Sequence, residues 1–398
     1  MRKFKILIKN IFDFVFELLH RFSFLKHIVS NYEFNIYKTN RKHTFFGYFD
    51  KSPFSFDDTK LLFISTDYNK NLTTPELAYI GYFDLKSKSY VEIDSTTTWC
   101  WQQGCRLMWY DKDLIIYNKV VNENYGSVLF DISKNKIVSK FNFPIYDINP
   151  CEKIVLSLNF SRLQYFRPGY GYSNFINNDD REKRNLKDGV FLCSLEDDKK
   201  KLLISFEKII NSDYKESMNN ASHYINHLKF SPDGLTFIFY HIWVNDNKRY
   251  TRIIYSDLKG NILNILDNNT FMSHDTFFDN NSLLVFTKTK LKGYHLYNLN
   301  NLNYKILSKQ LNLDGHPSYL SKNNFITDTY PNKFSRYQRL LLSINNNITN
   351  VAKVYSPRIY NGEFRCDLHP RLNNSKDLVS IDIPFFSGRM MVIFKINK

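Results

Sequence analysis

The chain has 398 residues, 43% of them hydrophobic, ample for a packed core, and its 35 Phe and 27 Tyr favour strands over helices. A formal net charge of +15 points to acidic partners such as anionic glycans or phospholipid surfaces, and no basic run carries the Gly-aromatic signature of an RNA-binding module, which argues against nucleic acid. Cys100, Cys105, Cys151, Cys193 and Cys366 form an odd, scattered set, which excludes a disulfide framework and fits a reducing, cytoplasmic compartment.

Residues 1–30 come first. Lys9, Asp13, Glu17, His20 and Arg21 interrupt their apolar run, so they read neither as a signal peptide nor as a membrane span. The spacing predicts an amphipathic helix with Phe, Leu and Ile on one broad face. Six basic residues against two acids suit an in-plane anchor on an anionic membrane, peripheral at the inner face; the other use of such a face is packing against its own domain.

Residues 31–398 repeat one unit: a polar or His/Gly-containing opening, a short strand, a turn and a strongly apolar strand. The hairpins fall at 47–67, 103–120, 146–160, 226–241, 274–289, 315–331 and 366–382, with Asp-Asp, Pro-Asp-Gly or Asn-Asn at their turns. A second hairpin follows each one, as in AYIGYFDLKSKSYVEI and TRIIYSDLKGNILNI. Two hairpins make a four-stranded propeller blade, so the expected fold is an all-β seven-bladed β-propeller preceded by a short helix. An insertion near 160–188 lengthens the third repeat. The last strand, 390–396, ends the chain without room for a full blade, and 32–38 is the expected closing strand. A two-sheet sandwich is the rival fold; seven copies of one hairpin without a linker argue against it.

Propellers bind ligands where the blade openings converge on the central channel, so the openings supply the candidates. His274, His316, Cys366 and His369 occupy equivalent openings of the last three repeats. Imidazoles with one thiolate suit a divalent metal, zinc ahead of manganese. In the insertion, Arg162, Arg167, Tyr170 and Tyr172 lie among glycines, as a loop that binds an acidic sugar would place them. His43, Gln103 and Trp101 are candidate sugar contacts, and His223 or His227 a candidate general base.

These motifs resemble the seven-bladed polysaccharide lyases, oligogalacturonate lyase and the propeller ulvan lyases, over about residues 43–382. The Met-Ser-His-Asp-Thr-Phe run at 272–277 is similar to the segment that supplies a metal-binding histidine there. Cys366-Asp-Leu-His369-Pro-Arg371 is similar to the Gln-x-x-His-Pro-His motif, with Cys366 replacing Gln and Arg371 replacing the last His. The resemblance implies β-elimination from a uronate-containing, anionic oligo- or polysaccharide. In it Arg162 or Arg167 neutralises the carboxylate, His223 or His227 is the base and Tyr170 or Tyr172 the acid. The Phe-Gly-Tyr-Phe-Asp-Lys-Ser-Pro opening and the Trp-Gln-Gln-Gly-Cys-Arg-Leu block also look like propellers of bacterial capsule and O-antigen clusters. They leave open a glycosyltransferase-like biosynthetic enzyme, or a non-catalytic glycan-binding scaffold.

Overall fold

Runs of Phe, Tyr, Ile and Leu separated by Asp-, Asn- and Gly-bearing turns form seven antiparallel sheets in chain order around one axis, a seven-bladed β-propeller. The structure, a computed structural model, describes residues 14–23, 25–149, 151–266, 271–288, 291–308 and 310–396. The first strands of the blades are His43–Phe45, Met108–Trp109, Asp147–Asn149, Ser222–Phe230, Met272–Asp279, Ser318–Ser321 and Arg371–Leu372. Several of them touch the first strand of the next blade, and so wall the central channel. Second and third strands such as Lys60–Thr66 and Ala78–Asp84 carry the buried Leu61, Phe63, Ile80 and Phe83 that pack between sheets.

The ring closes through the N-terminal end of the chain. Phe34–Tyr37 pairs antiparallel with Gly388–Lys395, Phe34 opposite Phe394, as the outermost strand of blade seven. Ile28–Ser30 adds a fifth strand to blade six, pairing with Asn347–Tyr355. Residues 14–21 are helical. This helix packs on blade six: His20 stacks on Tyr355 with ring centroids 3.7 Å apart, and its Nε2 lies 2.9 Å from the Tyr337 hydroxyl. Phe14 and Phe22 remain about two-thirds exposed, at 65% and 64%. Lys9 and Asp13, two of the residues that mark the segment as amphipathic, lie outside the described residues.

The insertion sits between the second and third strands of blade three and contains two short helices, Phe160–Phe166 and Asn178–Arg181. Asn159 caps the first by accepting from the Arg162 backbone N–H. Gln164 Oε1 accepts from the backbone N–H groups of Gly169 and Gly171 at 3.0 and 3.3 Å, which folds the Arg-Pro-Gly-Tyr-Gly-Tyr loop back over the helix and brings Tyr170 to the channel mouth.

Candidate functional site

At the blade openings several side chains are aimed by an uncommon backbone. Arg106, His227, His274 and His369 have φ of +54°, +55°, +40° and +48°, a region that a non-glycine residue enters at a cost of order 1–3 kcal/mol. The ladder register shifts between Asn226 and Lys229 and between Ser273 and Asp275, so His227 and His274 sit in bulges. Bulges re-aim side chains, and here they turn imidazoles from consecutive blades toward one another. The ring centroids of His274 and His316 are 4.1 Å apart, those of His316 and His369 4.3 Å, and those of His227 and His274 6.4 Å.

His316, Asp367 and His369 each present a ligand atom within 4.8 Å of the others, and all three are buried. The His369 Nδ1–H donates to the Gly47 carbonyl at 2.6 Å, which leaves a lone pair on Nε2. Nδ1 of His316 faces both oxygens of Asp328, at 2.9 and 3.0 Å. Nε2 of His316, Nε2 of His369 and Oδ1 of Asp367 are buried without a hydrogen-bond partner. Unpaired buried polar atoms are costly and rare, so three of them around one point fit a bound cation. The carboxylate–histidine pairing is the usual support of a metal-binding imidazole. His274 flanks the group with the same pattern, its Nδ1 3.1 Å from Asp314 Oδ1. Gly47 has φ of +121° and would place a Cβ 3.0 Å from the backbone of Gln103 and Gly104, so only glycine brings its carbonyl to His369 without strain.

The surroundings shift the imidazoles in opposite directions. Burial pulls His316 down, but the carboxylates of Asp328, Asp367 and Asp314 together outweigh it and hold the imidazole above its ordinary value. Burial pushes His274, His369 and His227 down, and neighbouring basic groups push the same way: His316 beside the first two, and His274 and Lys229 beside His227. His227 is therefore neutral at pH 7. Its ring stacks 5.3 Å from Tyr48 and stands edge-on to Tyr170 at 6.3 Å. Arg365 joins the two halves of the site. Its Nε donates to Asp367 at 2.8 Å and its Nη2 to the Tyr170 hydroxyl.

With the geometry fixed, the comparisons are informative about the fold. No protein-family model matches the sequence, and no curated protein matches it. The structure is similar to that of oligogalacturonate lyase. A crystal structure of oligogalacturonate lyase from Vibrio parahaemolyticus matches with a TM-score of 0.61 and 13% identity, over 93% of this chain and 98% of that one. Oligogalacturonate lyase in complex with manganese matches with a TM-score of 0.61 and 12% identity, over the same shares. At such identities the likeness establishes the propeller fold.

Several candidates lie elsewhere or are already engaged. Cys366 is not in the metal group: its thiol is buried in the hydrophobic core, where burial raises it to about 12, and Asp367, next in sequence, supplies the ligand atom instead. The preference for zinc rested on that thiolate and goes with it; two imidazoles and a carboxylate suit manganese as well. Arg162 is spent on the backbone, donating to the carbonyls of His223, Asp180, Glu182 and Lys183, so it has no arm for a substrate. Arg167 caps the helix end and packs over Tyr170. The Tyr172 hydroxyl accepts from Asn118 inside the core. His43 and Trp101 are buried against each other, and Gln103 donates to Tyr146 and Asn226 beneath His227. Sequence reading missed Asp367, Arg365, Asp328 and Tyr330. Only Asp367 carried a signal, its place between Cys366 and His369.

His223 also leaves the site. Arg252 Nε donates to His241 Nδ1, so the His241 Nε2–H donates to His223 Nδ1 at 2.9 Å, and His223 Nε2 faces the Met218 carbonyl. Both rings are neutral and fully engaged. Burial lowers His223 from 6.5 to about 4. The unfolded chain then binds more protons between those values, so the contribution of this group is fully present above pH 6.5 and is lost as pH falls toward 4. Denaturant unfolding should show it: moving from pH 7 to pH 5 removes about 2 kcal/mol through this group, a share of the pH slope that His223→Asn abolishes. At the metal group, Asp367→Asn should weaken Mn²⁺ binding about 10-fold or more by calorimetry on the folded protein.

Proposed function

We propose that this chain is a polysaccharide lyase-like enzyme that cleaves a uronate-containing glycan by β-elimination with the help of a divalent metal. The observation that carries the reading is the convergence, at one channel mouth, of three buried unpaired ligand atoms with a neutral imidazole and an arginine-bound tyrosine. The overall likeness to oligogalacturonate lyase supports it at the level of fold.

His316, His369 and Asp367 would hold the metal, with His274 beside them. A divalent cation held there would neutralise the uronate carboxylate and make the C5 proton more acidic. His227 accepts that proton on its ring; at Nε2 the long 3.3 Å contact from the Asn226 amide N–H gives way to it. The electron pair of the C5–H bond forms the C4–C5 double bond as the C4–O bond breaks. Tyr170 donates its hydroxyl proton to the departing oxygen. Arg365, already on the Tyr170 oxygen, offsets the charge left there. Tyr48 covers the other face of His227 and, with Phe49, keeps water from the imidazoles.

Incubation of the manganese-loaded protein with a panel of uronate polysaccharides, followed by the ultraviolet absorbance of the unsaturated product, tests the reading. His227→Ala and Tyr170→Phe should each lose about 10²-fold or more in rate, while His223→Asn keeps the rate per folded molecule. No absorbance rise across the panel with the wild-type protein would sink the proposal.

The N-terminal helix supports a peripheral contact with an anionic membrane: Phe14 and Phe22 are exposed beside the basic Arg21 and Lys26. Co-sedimentation with vesicles should retain the protein on phosphatidylglycerol-containing bilayers more than on phosphatidylcholine alone, and Phe14→Asp with Phe22→Asp should release it.

A further inference from the structure

A second cavity, of about 440 Å³, shares a wall with the metal group. Asp314, whose Oδ1 touches His274, and Tyr330, whose hydroxyl lies 3.5 Å from His274 Nε2, face both. Beyond them the cavity is lined by the loop that follows Asn324–Asp328 and by the exposed side chains of Lys333, Arg339 and Lys353. Arg339 and Lys353 stand directly opposite each other in the ladder between Tyr337–Ile344 and Asn347–Tyr355. Like charges so placed repel, and the sheet gains nothing from them. Among the described residues none of the three cations is ion-paired, and the single acid of the lining, Asp314, is committed to His274. The cavity is therefore a net positive recess with donors facing an unfilled space, of the size of a small-ligand site. Local arrangements that cost stability without a structural return are expected at binding sites.

We infer that this recess is a subsite for a second carboxylate-bearing sugar of the same chain, held by Arg339 and Lys353 while its neighbour lies on the metal group. This rests on the proposed function for the class of substrate and adds how the enzyme reads chain length and charge. Arginine can take a carboxylate with two parallel hydrogen bonds, and Lys353 across the strand supplies a point charge. A single uronate reaches only the metal group; a longer anionic chain reaches both.

Calorimetry on the full chain with Mn²⁺, in a His227→Ala background so that no probe is consumed, tests the inference. The probes are galacturonate, trigalacturonate and a neutral galactose trisaccharide. Trigalacturonate should bind at least 10-fold tighter than galacturonate, and the neutral trisaccharide no tighter. Arg339→Gln with Lys353→Gln should erase that chain-length ratio while the Mn²⁺ dissociation constant stays within two-fold. Lys353→Glu places an acid beside Arg339, which favours the fold, and should erase the ratio as well. An unchanged ratio in these variants, an absent ratio in the wild-type recess, or equal binding of the neutral trisaccharide each overturns the inference. Elimination is measured separately on the His227-containing protein, so its absence counts against the lyase reading and not against the subsite.

Discussion

The Asp328 carboxylate is the contact on which the site depends. It accepts from the His316 backbone N–H at 2.8 Å, from the His316 ring, and from the His369 backbone N–H at 3.0 Å. One buried group thus sets the tautomer of one imidazole and the backbone position of another, across the boundary between blades six and seven. Gly315 is part of the same constraint: a Cβ there would lie 1.9 Å from the Asp328 carbonyl oxygen, so the backbone before His316 approaches only as glycine. Asp382 repeats the device one blade on. It receives the N–H groups of Phe46 and Gly47 and pairs with Arg371, and Gly47 in turn supports His369. The metal group is therefore held by the joints between blades rather than by any single sheet.

Ion pairs with a buried carboxylate continue around the blade openings. Arg106 pairs with Asp50 at 2.7 Å, Lys229 with Asp275 at 2.6 Å, and Lys51 with Asp147. Each pair spans two blades. A buried pair adds little net stability over an apolar pair, yet losing one partner leaves a charge that the interior solvates poorly. Such pairs fix the mutual register of blades, and with it the distances among imidazoles contributed by four of them. They also bear on proton affinity: Lys229, neutralised by Asp275, still adds to the pressure that keeps His227 unprotonated.

The repeat made the convergence of the blade openings legible from sequence. Equivalent openings of a propeller meet at the channel, so His274, His316 and His369 could be grouped, with Cys366, and His227 set beside them as one of two candidate bases. What the repeat does not encode is which of two neighbouring residues turns inward where the backbone leaves the regular strand. At Cys366-Asp367 the thiol went to the core and the carboxylate to the site, the reverse of the chemical expectation for a soft ligand. In the insertion, Tyr170 and Tyr172 share one short glycine-rich run, but Gln164 pins the loop so that the first faces Arg365 and the second faces Asn118. Arg162 read as a loop cation because it precedes a glycine-rich run; Asn159, which caps its helix from three residues upstream, is the cue to the helix there. Arg365 had no cue, since its role comes from contacts with Tyr170, far away in sequence, and with Asp367 two residues on.

His223 and His227 show the same limit on a single strand. They are four residues apart, and in a regular strand, where side chains alternate, they share a face. That parity makes them interchangeable as candidates for the base. The register shift between Asn226 and Lys229 breaks it. Before the shift the strand pairs regularly, His223 opposite Trp243, and its ring is consumed by His241. After it, the positive φ at residue 227 swings the second imidazole out of the ladder and over Tyr48. One extra residue in a ladder thus separates a structural histidine from one with a free role, and the strain at residue 227 belongs to the cost of building the site.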